Sequence, residues 1–411
     1  MPSIHTSAAV RRRIPSVPIL SLATFRGKRH AHLPSLLDLG DALLVTSGRI
    51  AIGMALRALG VQPGDTVLVP AYHSLSMIPP VHWCGAQVVF YRIHPDTSPD
   101  LADIAARLGT GAKAVMATHF FGFPQDLRGL RALCDAHGAG LLEDCAHCFF
   151  GERDGVAVGA SGDYAIGSSM KFFPIYEGGC LVSRRHRLTD ALRAAGAGFE
   201  GKATLNAVEA SFAHGRLPLL RMALALPLWL KGALWQRAKT RAASGSQAGA
   251  PAPAPALAPS SSDSSFEFDP RWVDVRSSWF SRTVLRRAAQ GRIVDARRHH
   301  YLELERFLAG AAGVRPLFAA LPDGACPWLF PLLAEQPDAL CARLEQAGVP
   351  FVRFGHSLWP GVDASVCPNS VALGQRLVGL PCHQALSDTE RAWLAATVRQ
   401  ALAGLQAAVV A

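Results

Sequence analysis

Short apolar runs alternate with amphipathic segments through the first third of the chain. Apolar runs predict strands beginning at residue 43 and over 66–74, 86–93, 113–122 and 140–146. Helices are predicted over the segment that ends at Gly60 and over 100–109 and 126–138. This alternation is typical of an α/β protein with a mostly parallel, doubly wound sheet and helices on both faces.

Polar residues follow several of these predicted strands. Tyr72, His73, His119, Asp144 and His147 all lie at or just after a strand's carboxyl end. Because ligands of open parallel sheets bind outside the carboxyl ends of the strands, we expect these side chains to lie near a binding site. The turn Ser47-Gly48, between a strand and a helix, is a second candidate, since a helix start binds anions.

The pattern changes near residue 200. Segment 217–241 is apolar and helical, but its charges and prolines interrupt it too often for it to span a bilayer. It predicts helices packed on the protein or on a second subunit, and the alternative is an interfacial helix that rests on a membrane. The Ala/Pro/Ser-rich segment 242–265 predicts a disordered linker.

The C-terminal part predicts a smaller α+β domain. Helices are expected over 282–310, with a break near Gly291, and over 338–348 and 387–405, the last with an S-x-x-E capping box. Strands are expected over 328–334 and 349–354. The chain therefore divides into an arm (1–40), a large domain (41–200), an insertion (201–268) and a small domain (269–411).

Composition narrows the classes of protein. The 411 residues carry a net charge of +10, but the arginines are scattered and no basic stripe with interleaved aromatic residues is present, so nucleic-acid binding is not expected. The nine cysteines are dispersed, which indicates a reduced, cytoplasmic protein, and the start of the chain lacks the pattern of a signal peptide. Cys145 and Cys148 form a CxxC without a second pair at zinc spacing, so no metal is predicted.

The stretch 141–183 carries the chemistry. It opens with an apolar run that ends in Asp144, and Lys171 follows 27 residues later, before Glu177-Gly178-Gly179. Pyridoxal 5′-phosphate chemistry needs a lysine for covalent attachment and proton transfer, a carboxylate for the pyridine nitrogen, donors for the phosphate and a flat group over the ring. Lys171, Asp144, the Ser47-Gly48 turn, and Tyr72 or His73 are available for these roles.

The motifs resemble one known family. SGRIA (47–51), GVQPGDTVLVPAYHS (60–74), ATHFFGFPQDL (117–127), LLEDCAH (141–147), GERDGVAVGASGDYA (151–165) and K-x5-EGG (171–179) occur in the order of the DegT/StrS sugar aminotransferases, which are fold-type I pyridoxal phosphate enzymes. LEQAGVPFVRFGHSLWP (344–360) and LVGLPCHQALSDTE (377–390) resemble the small domain of that family. The resemblance covers nearly the whole chain except its start and about residues 200–268.

The resemblance implies roles for individual residues. Lys171 corresponds to the Schiff-base lysine, Asp144 to the partner of the pyridinium nitrogen, and His147 to the residue near the phenolic oxygen of the cofactor. Gly48 and Arg49 lie in the phosphate turn. Substrate roles are implied for residues of the small domain, Arg353 and His356. His119 and Glu177 lie in family-like motifs, and for both a place in the lining of the site and a purely structural role are left open.

Several positions depart from the family. Arg49 stands where the family has Thr, and Ser74 where it has an aromatic residue that stacks on the cofactor, so His73 is the candidate for that role. Ile166 occupies the place of the phosphate serine, and Ser168 or Ser169 is expected to replace it. The family segment G-x-N-x-R, which reaches the neighbouring subunit's cofactor, is represented only by SSWFSR with Arg282. The chain is therefore expected to form a divergent branch.

The function implied is transfer of an amino group from an amino acid, glutamate by resemblance, to a keto sugar that is nucleotide-linked. The expected setting is polysaccharide or natural-product biosynthesis, by a cytoplasmic homodimer. One alternative is elimination or dehydration on the same cofactor, although sugar dehydratases of the family carry histidine in place of the lysine. Another is a non-catalytic, regulatory protein of the same fold.

Overall fold

The computed structural model describes residues 13–224 and 267–410. Its main sheet has seven strands in the order β1-β9-β8-β5-β4-β2-β3. Strands β8, β5, β4, β2 and β3 are parallel, whereas β9 is antiparallel to both of its neighbours. The strands are β1 (Asp41–Val45), β2 (Thr66–Pro70), β3 (Gln87–Tyr91), β4 (Ala114–Thr118), β5 (Gly140–Asp144), β8 (Tyr164–Gly167) and β9 (Gly179–Ser183), and β6 (Glu152–Arg153) and β7 (Val156–Ala157) form a separate hairpin.

Four helices follow the strands of the large sheet: α1 (Gly48–Ala58), α2 (Ile78–Trp83), α3 (Leu101–Leu108) and α4 (Arg128–His137). Helix α1 begins where the Ser47 hydroxyl accepts the Ile50 N–H, and α4 ends at Gly138, whose left-handed backbone suits glycine. Apart from the half-buried Gly140, the central strands β4, β5 and β8 are buried along their length, as expected for a sheet covered on both faces.

Among the described residues, four helices connect this sheet to the small domain: α5 (Ala197–Ala213), α6 (Pro218–Ala223), α7 (Trp279–Arg287) and α8 (Gln290–Leu308). Only the first part of the predicted apolar segment 217–241 is described, and the rest, with the predicted linker 242–265, lies outside the described residues. Within the described ranges, no helix is both long and apolar enough to cross a membrane.

The small domain has a three-stranded antiparallel sheet, β10 (Val314–Pro316), β11 (Leu329–Ala334) and β12 (Leu377–Pro381). Helices α9 (Pro337–Ala347), α10 (Pro368–Arg376) and α11 (Asp388–Val410) accompany it. One apolar core joins both domains, because Tyr72 and Phe120 of the large domain belong to the same buried cluster as Phe330 and Leu377 of the small domain.

The predicted fold class is confirmed: a mostly parallel large sheet stands beside a smaller α+β domain. The capping box is confirmed too, since Ser387 and Glu390 each accept the main-chain N–H of the other. The strand predicted over 349–354 is wrong, because only Val352 pairs, with Gly379. The helix predicted over 282–310 is two helices, separated at Ala288–Ala289 and thus just before Gly291.

The four domain boundaries stay predictions. Downstream of the insertion, the chain first returns to the large sheet: Arg276 pairs with Val45, and the Ser277 N–H donates to the Leu44 carbonyl at 2.8 Å.

Candidate active site

A cavity of about 570 Å³ lies at the carboxyl ends of the central strands, between the two domains. Its floor comes from the large domain and its opposite wall from the segment around Arg353 in the small domain. Its lining includes Ser47, Gly48, Arg49, His73, Thr118, Asp144, His147, Ser168, Lys171, Trp328, Arg353 and His356.

The turn between β1 and α1 forms one end of the cavity. The first turn of a helix leaves main-chain N–H groups without intrahelical partners, and Gly48 and Arg49 occupy that turn. Strand β9 passes directly behind it: a Cβ on Gly179 would overlap the Ser47 carbonyl and lie 2.6 Å from the Gly48 nitrogen. The Glu-Gly-Gly motif therefore includes a glycine that the close packing of this turn requires.

Two side chains complete this end. Ser168 lines the cavity beside Gly48, whereas Ser169 is fully buried and is not among the lining residues. The Arg49 side chain is buried, and its guanidinium donates to the Glu267 carbonyl at 2.7 Å. An anionic group at the turn would meet helix N–H groups, the Ser168 hydroxyl and a nearby cation.

Asp144 lies at the end of β5, opposite Thr118 at the end of β4. The Ala146 N–H donates to Asp144 Oδ1 at 2.9 Å. Burial raises the pKa of the Asp144 carboxyl, while this N–H and the positive charge of Lys171 act in the opposite direction. The Thr118 hydroxyl is buried without a hydrogen-bond partner among the described residues.

Lys171 ends a short 3-10 helix, Ser169–Lys171, that follows β8. Its Nζ lies 4.6 Å from the centre of the Trp328 ring. Burial lowers the pKa of Lys171 from 10.5 to about 8, although the Asp144 carboxylate favours the charged form. A lysine with this pKa presents about 300 times more neutral amine at pH 7 than an ordinary lysine.

His147 is a neutral histidine next to this lysine. Burial, and then the charge on Lys171, lower the pKa of His147 well below its ordinary value. The imidazole stacks on Trp328, with centroids 3.9 Å apart, and on Phe121 at 5.8 Å. Its Nδ1 is buried and has no hydrogen-bond partner in the described part of the chain. A buried polar atom of this kind is expected to meet a ligand or water.

Trp328 is the residue of this site that the sequence did not indicate. It immediately precedes β11, and the sequence pattern there predicts only the start of a strand. Its indole contacts both His147 and Lys171. No signal within its own segment identifies it, because it comes from the other domain and reaches Lys171 only through the tertiary fold.

His73 lines the cavity but is already engaged on several sides. It donates from Nδ1 to the Ala71 carbonyl at 3.0 Å, accepts the Trp359 N–H at Nε2, and stacks on Phe90. Burial lowers the pKa of His73 to about 4. Tyr72, the other candidate for a ring cover, is fully buried and donates its hydroxyl to the Phe354 carbonyl. A cover by His73 therefore stays a prediction.

The small-domain residues Arg353 and His356 both line the cavity. Arg353 donates to Asp338 and to the Gln375 carbonyl, each at 2.8 Å, and contacts His356 Nδ1 at 3.2 Å. Their substrate roles stay predictions. Arg282 is not among the lining residues; it lies on α7, where burial and then Arg276 lower its pKa.

His119 and Glu177 have hydrogen-bonding roles within the large domain. His119 contacts Glu143 at 2.8 Å through Nε2 and accepts the Gln125 N–H at Nδ1. His119, Glu143 and Cys145 present possible metal ligands within 4.8 Å of one another, but the same carboxylate accepts two glycine N–H groups. Glu177 is fully buried and accepts the Ser277 hydroxyl and the N–H and hydroxyl of Ser278.

The doubly wound sheet, the small antiparallel domain and the cavity between them define a fold-type I pyridoxal-phosphate-dependent transferase fold. Residues 31–212 match the model of the DegT/DnrJ/EryC1/StrS aminotransferase family. The resemblance inferred from the motifs is thereby confirmed.

Two curated relatives match parts of the chain. GDP-perosamine synthase of Vibrio cholerae is 34% identical over 157 residues, which are 38% of this chain and 43% of the relative. dTDP-3-amino-3,4,6-trideoxy-alpha-D-glucose transaminase of Streptomyces venezuelae is 31% identical over 201 residues, 46% of this chain and 51% of the relative. The chain thus spans about half or less of the length of these relatives.

A solved structure, the PLP form of Spr1654 from Streptococcus pneumoniae, has a TM-score of 0.62. It is 17% identical, and the match covers 95% of this chain and 99% of that one. The likeness establishes the fold over both domains.

Proposed function

We propose that the protein is a pyridoxal-phosphate-dependent aminotransferase that moves an amino group from glutamate to a nucleotide-linked keto sugar. The observation that carries the proposal is the placement of Lys171 and Asp144 in one cavity, where burial gives the lysine a pKa of about 8. A reactive amine and a buried carboxylate at the carboxyl edge of this fold are what the cofactor requires.

The cavity residues fit the cofactor group by group. The turn at Gly48 and Arg49, with the Ser168 hydroxyl, would hold the phosphate. Asp144 would pair as a carboxylate with the protonated pyridine nitrogen, because an opposite charge beside it offsets the cost of burying the carboxylate. His147, whose Nδ1 has no hydrogen-bond partner among the described residues, would bind the phenolic oxygen.

When bound, pyridoxal phosphate supplies an electron sink and carries the amino group between the two substrates. Lys171 Nζ would hold the cofactor covalently and would move the substrate proton. Its pKa of about 8 suits both tasks, because the amine exchanges between its charged and neutral forms near neutral pH. His147 stays neutral beside it, so that it adds a hydrogen bond without a second positive charge.

The substrate classes rest on the relatives. Both matched relatives carry names of enzymes that form amino sugars linked to a nucleotide. Glutamate as donor follows from the family resemblance. Arg353 and His356 line the cavity on the side of the small domain, where a polar sugar or a carboxylate would find donors. We further propose a cytoplasmic homodimer that acts in polysaccharide or natural-product biosynthesis.

The test starts from protein stripped of cofactor. Added pyridoxal phosphate should give the visible absorbance of covalently bound cofactor, glutamate should bleach it with release of 2-oxoglutarate, and a nucleotide-linked keto sugar should restore it. Lys171→Ala should abolish the absorbance. The control is Lys202→Ala, which removes a lysine that lies over the Tyr176 ring, outside the cavity.

Three results would contradict the proposal. Absence of absorbance in the wild type, or unchanged absorbance in Lys171→Ala, would refute cofactor attachment at Lys171. Absorbance that no amino donor bleaches would instead favour elimination or a regulatory role.

A further inference from the structure

Arg297, on α8, is a fully buried arginine that pairs with no carboxylate within residues 13–224 and 267–410. Burial accordingly lowers its pKa. An unpaired buried charge is costly unless hydrogen bonds replace the lost water. Arg297 makes such bonds only to neutral oxygens, and these bonds show what the residue holds.

The guanidinium of Arg297 joins the two sides of the active site. Nη2 donates to the Lys171 carbonyl at 2.7 Å, and Nη1 donates to the Pro327 and Trp328 carbonyls at 2.9 and 3.1 Å. Nε donates to Gln384 Oε1 at 2.9 Å. One planar group therefore links the main chain of Lys171, in the large domain, to that of Trp328, in the small domain.

Gln384 reinforces this link. Its Nε2 donates to the carbonyl of Phe172, the residue after Lys171, at 2.6 Å. The Arg297 guanidinium also lies over the Phe172 ring, 4.5 Å from its centre. Both carbonyls of the dipeptide 171–172 are thus bound by this arginine and glutamine pair, which restricts the main chain from which the reactive amine extends.

The two main chains that Arg297 joins carry side chains in mutual contact. The Trp328 indole meets the Lys171 ammonium and stacks on His147. A shift of either main chain would open this contact and admit water to the amine. Because burial is the main cause of the low pKa of Lys171, the reactivity of the amine depends on how firmly these segments are held.

We propose that Arg297 is a positioning residue that holds the Lys171 amine against the Trp328 indole by binding the main-chain carbonyls of both residues. The proposal rests on the proposed function in one respect, that Lys171 is the reacting amine. Lysine cannot replace Arg297 here, because a single ammonium cannot reproduce the planar fork that reaches several acceptors at once.

The test measures the Lys171 amine in cofactor-free protein. An amine-reactive reagent is added across a pH series, and mass spectrometry follows modification of the Lys171 peptide. Asp144 and His147, which act electrostatically with this amine, are unchanged in every variant. Arg297→Lys should move the midpoint upward by roughly one pH unit and slow modification at pH 8 about 5-fold, since water then stabilises the ammonium.

Arg298→Lys is the matched control. Arg298 lies on the same helix and donates from Nη1 to the Pro322 and Ala325 carbonyls of the loop before Trp328, but it does not contact Lys171. It should lower thermal stability without moving the midpoint. If Arg297→Lys does not fold, Gln384→Met provides a second variant, which should raise the midpoint by releasing the Phe172 carbonyl.

A midpoint that stays at the wild-type value in the folded Arg297 or Gln384 variant would overturn the proposal and leave Arg297 a stabilising residue only. The measurement uses neither cofactor nor substrate. A shifted midpoint in a protein that fails to transaminate would therefore refute the proposed function while supporting the positioning role.

Discussion

Replacing the reactive lysine by a neutral side chain of similar length should stabilise the cofactor-free protein. Lys171→Met keeps the apolar stem in place and removes the ammonium, which burial disfavours. The prediction runs against the usual loss of stability on mutation of a buried residue. It follows from the cost of holding a charge in the cavity without its ligand.

The magnitude follows from the pKa of Lys171, which falls from 10.5 to about 8. One pKa unit corresponds to about 1.4 kcal/mol, so holding the ammonium in the folded state at pH 7 costs about 3 kcal/mol. Lys171 is partly exposed to the cavity, and water there screens the charge. We therefore expect Lys171→Met to raise the free energy of unfolding by roughly 1.5–3 kcal/mol.

The pH dependence gives the sharper signature. Because the folded-state pKa lies below the unfolded one, the penalty is full below pH 8 and disappears above 10.5. Urea unfolding of both proteins from pH 6.5 to pH 10.5 should therefore show a difference that is largest near neutrality and declines through the alkaline range. Lys202→Met controls for the loss of a lysine outside the cavity.

A Lys171→Met protein that is less stable than the wild type at pH 7 would refute the reasoning. So would a stabilisation that is constant with pH, since improved packing would then account for it. Either result would mean that the Lys171 ammonium is adequately solvated in the cavity.

Three further predictions concern Asp144, Gly179 and Glu177. Asp144→Asn should lower the transamination rate by about 100-fold or more, measured with glutamate at saturating cofactor, because an amide cannot hold the pyridinium proton. Gly179→Ala should lower the free energy of unfolding in urea by about 1–3 kcal/mol, since the new Cβ would meet main-chain atoms of Ser47. Its control is Gly198→Ala on helix α5, where a Cβ would meet no atom within 4 Å, and this change should raise the free energy of unfolding by up to about 1 kcal/mol. Glu177→Ala should lower the same free energy by about 3 kcal/mol, because buried serine hydroxyls lose their acceptor, and Glu177→Gln, which keeps one acceptor oxygen, should lose less.

The sequence predicted the parts of the molecule that depend on local pattern. Continuous apolar strands alternating with helices indicated the parallel sheet, and this placed Asp144 at its carboxyl edge. The antiparallel strand β9 was not among the predicted strands, and periodicity carries no information about the partners of a strand. The strand prediction for 349–354 was wrong because apolar residues there, such as Phe354, are buried in the shared core and not in a strand that pairs along its length.

Residues that reach the site from distant segments of the chain cannot be predicted from local sequence pattern. Trp328 lies in a segment that predicts only a strand, and Arg297 lies in a predicted helix in which arginine is common. Arg297 contacts Lys171 across 126 positions of sequence. A pattern within one element cannot indicate that an arginine is buried; the packing of three segments decides it.

The apolar core shared by the two domains has a consequence for motion. Rotation of the small domain away from the large one would separate the Tyr72 and Phe354 rings and break the hydrogen bond from the Tyr72 hydroxyl to the Phe354 carbonyl. We therefore expect the domains to unfold together rather than open as a hinge. Substrates would then reach the amine past the exposed His356 and Ser357 at the rim, so that local motion of this loop, rather than domain closure, would set the rate of exchange.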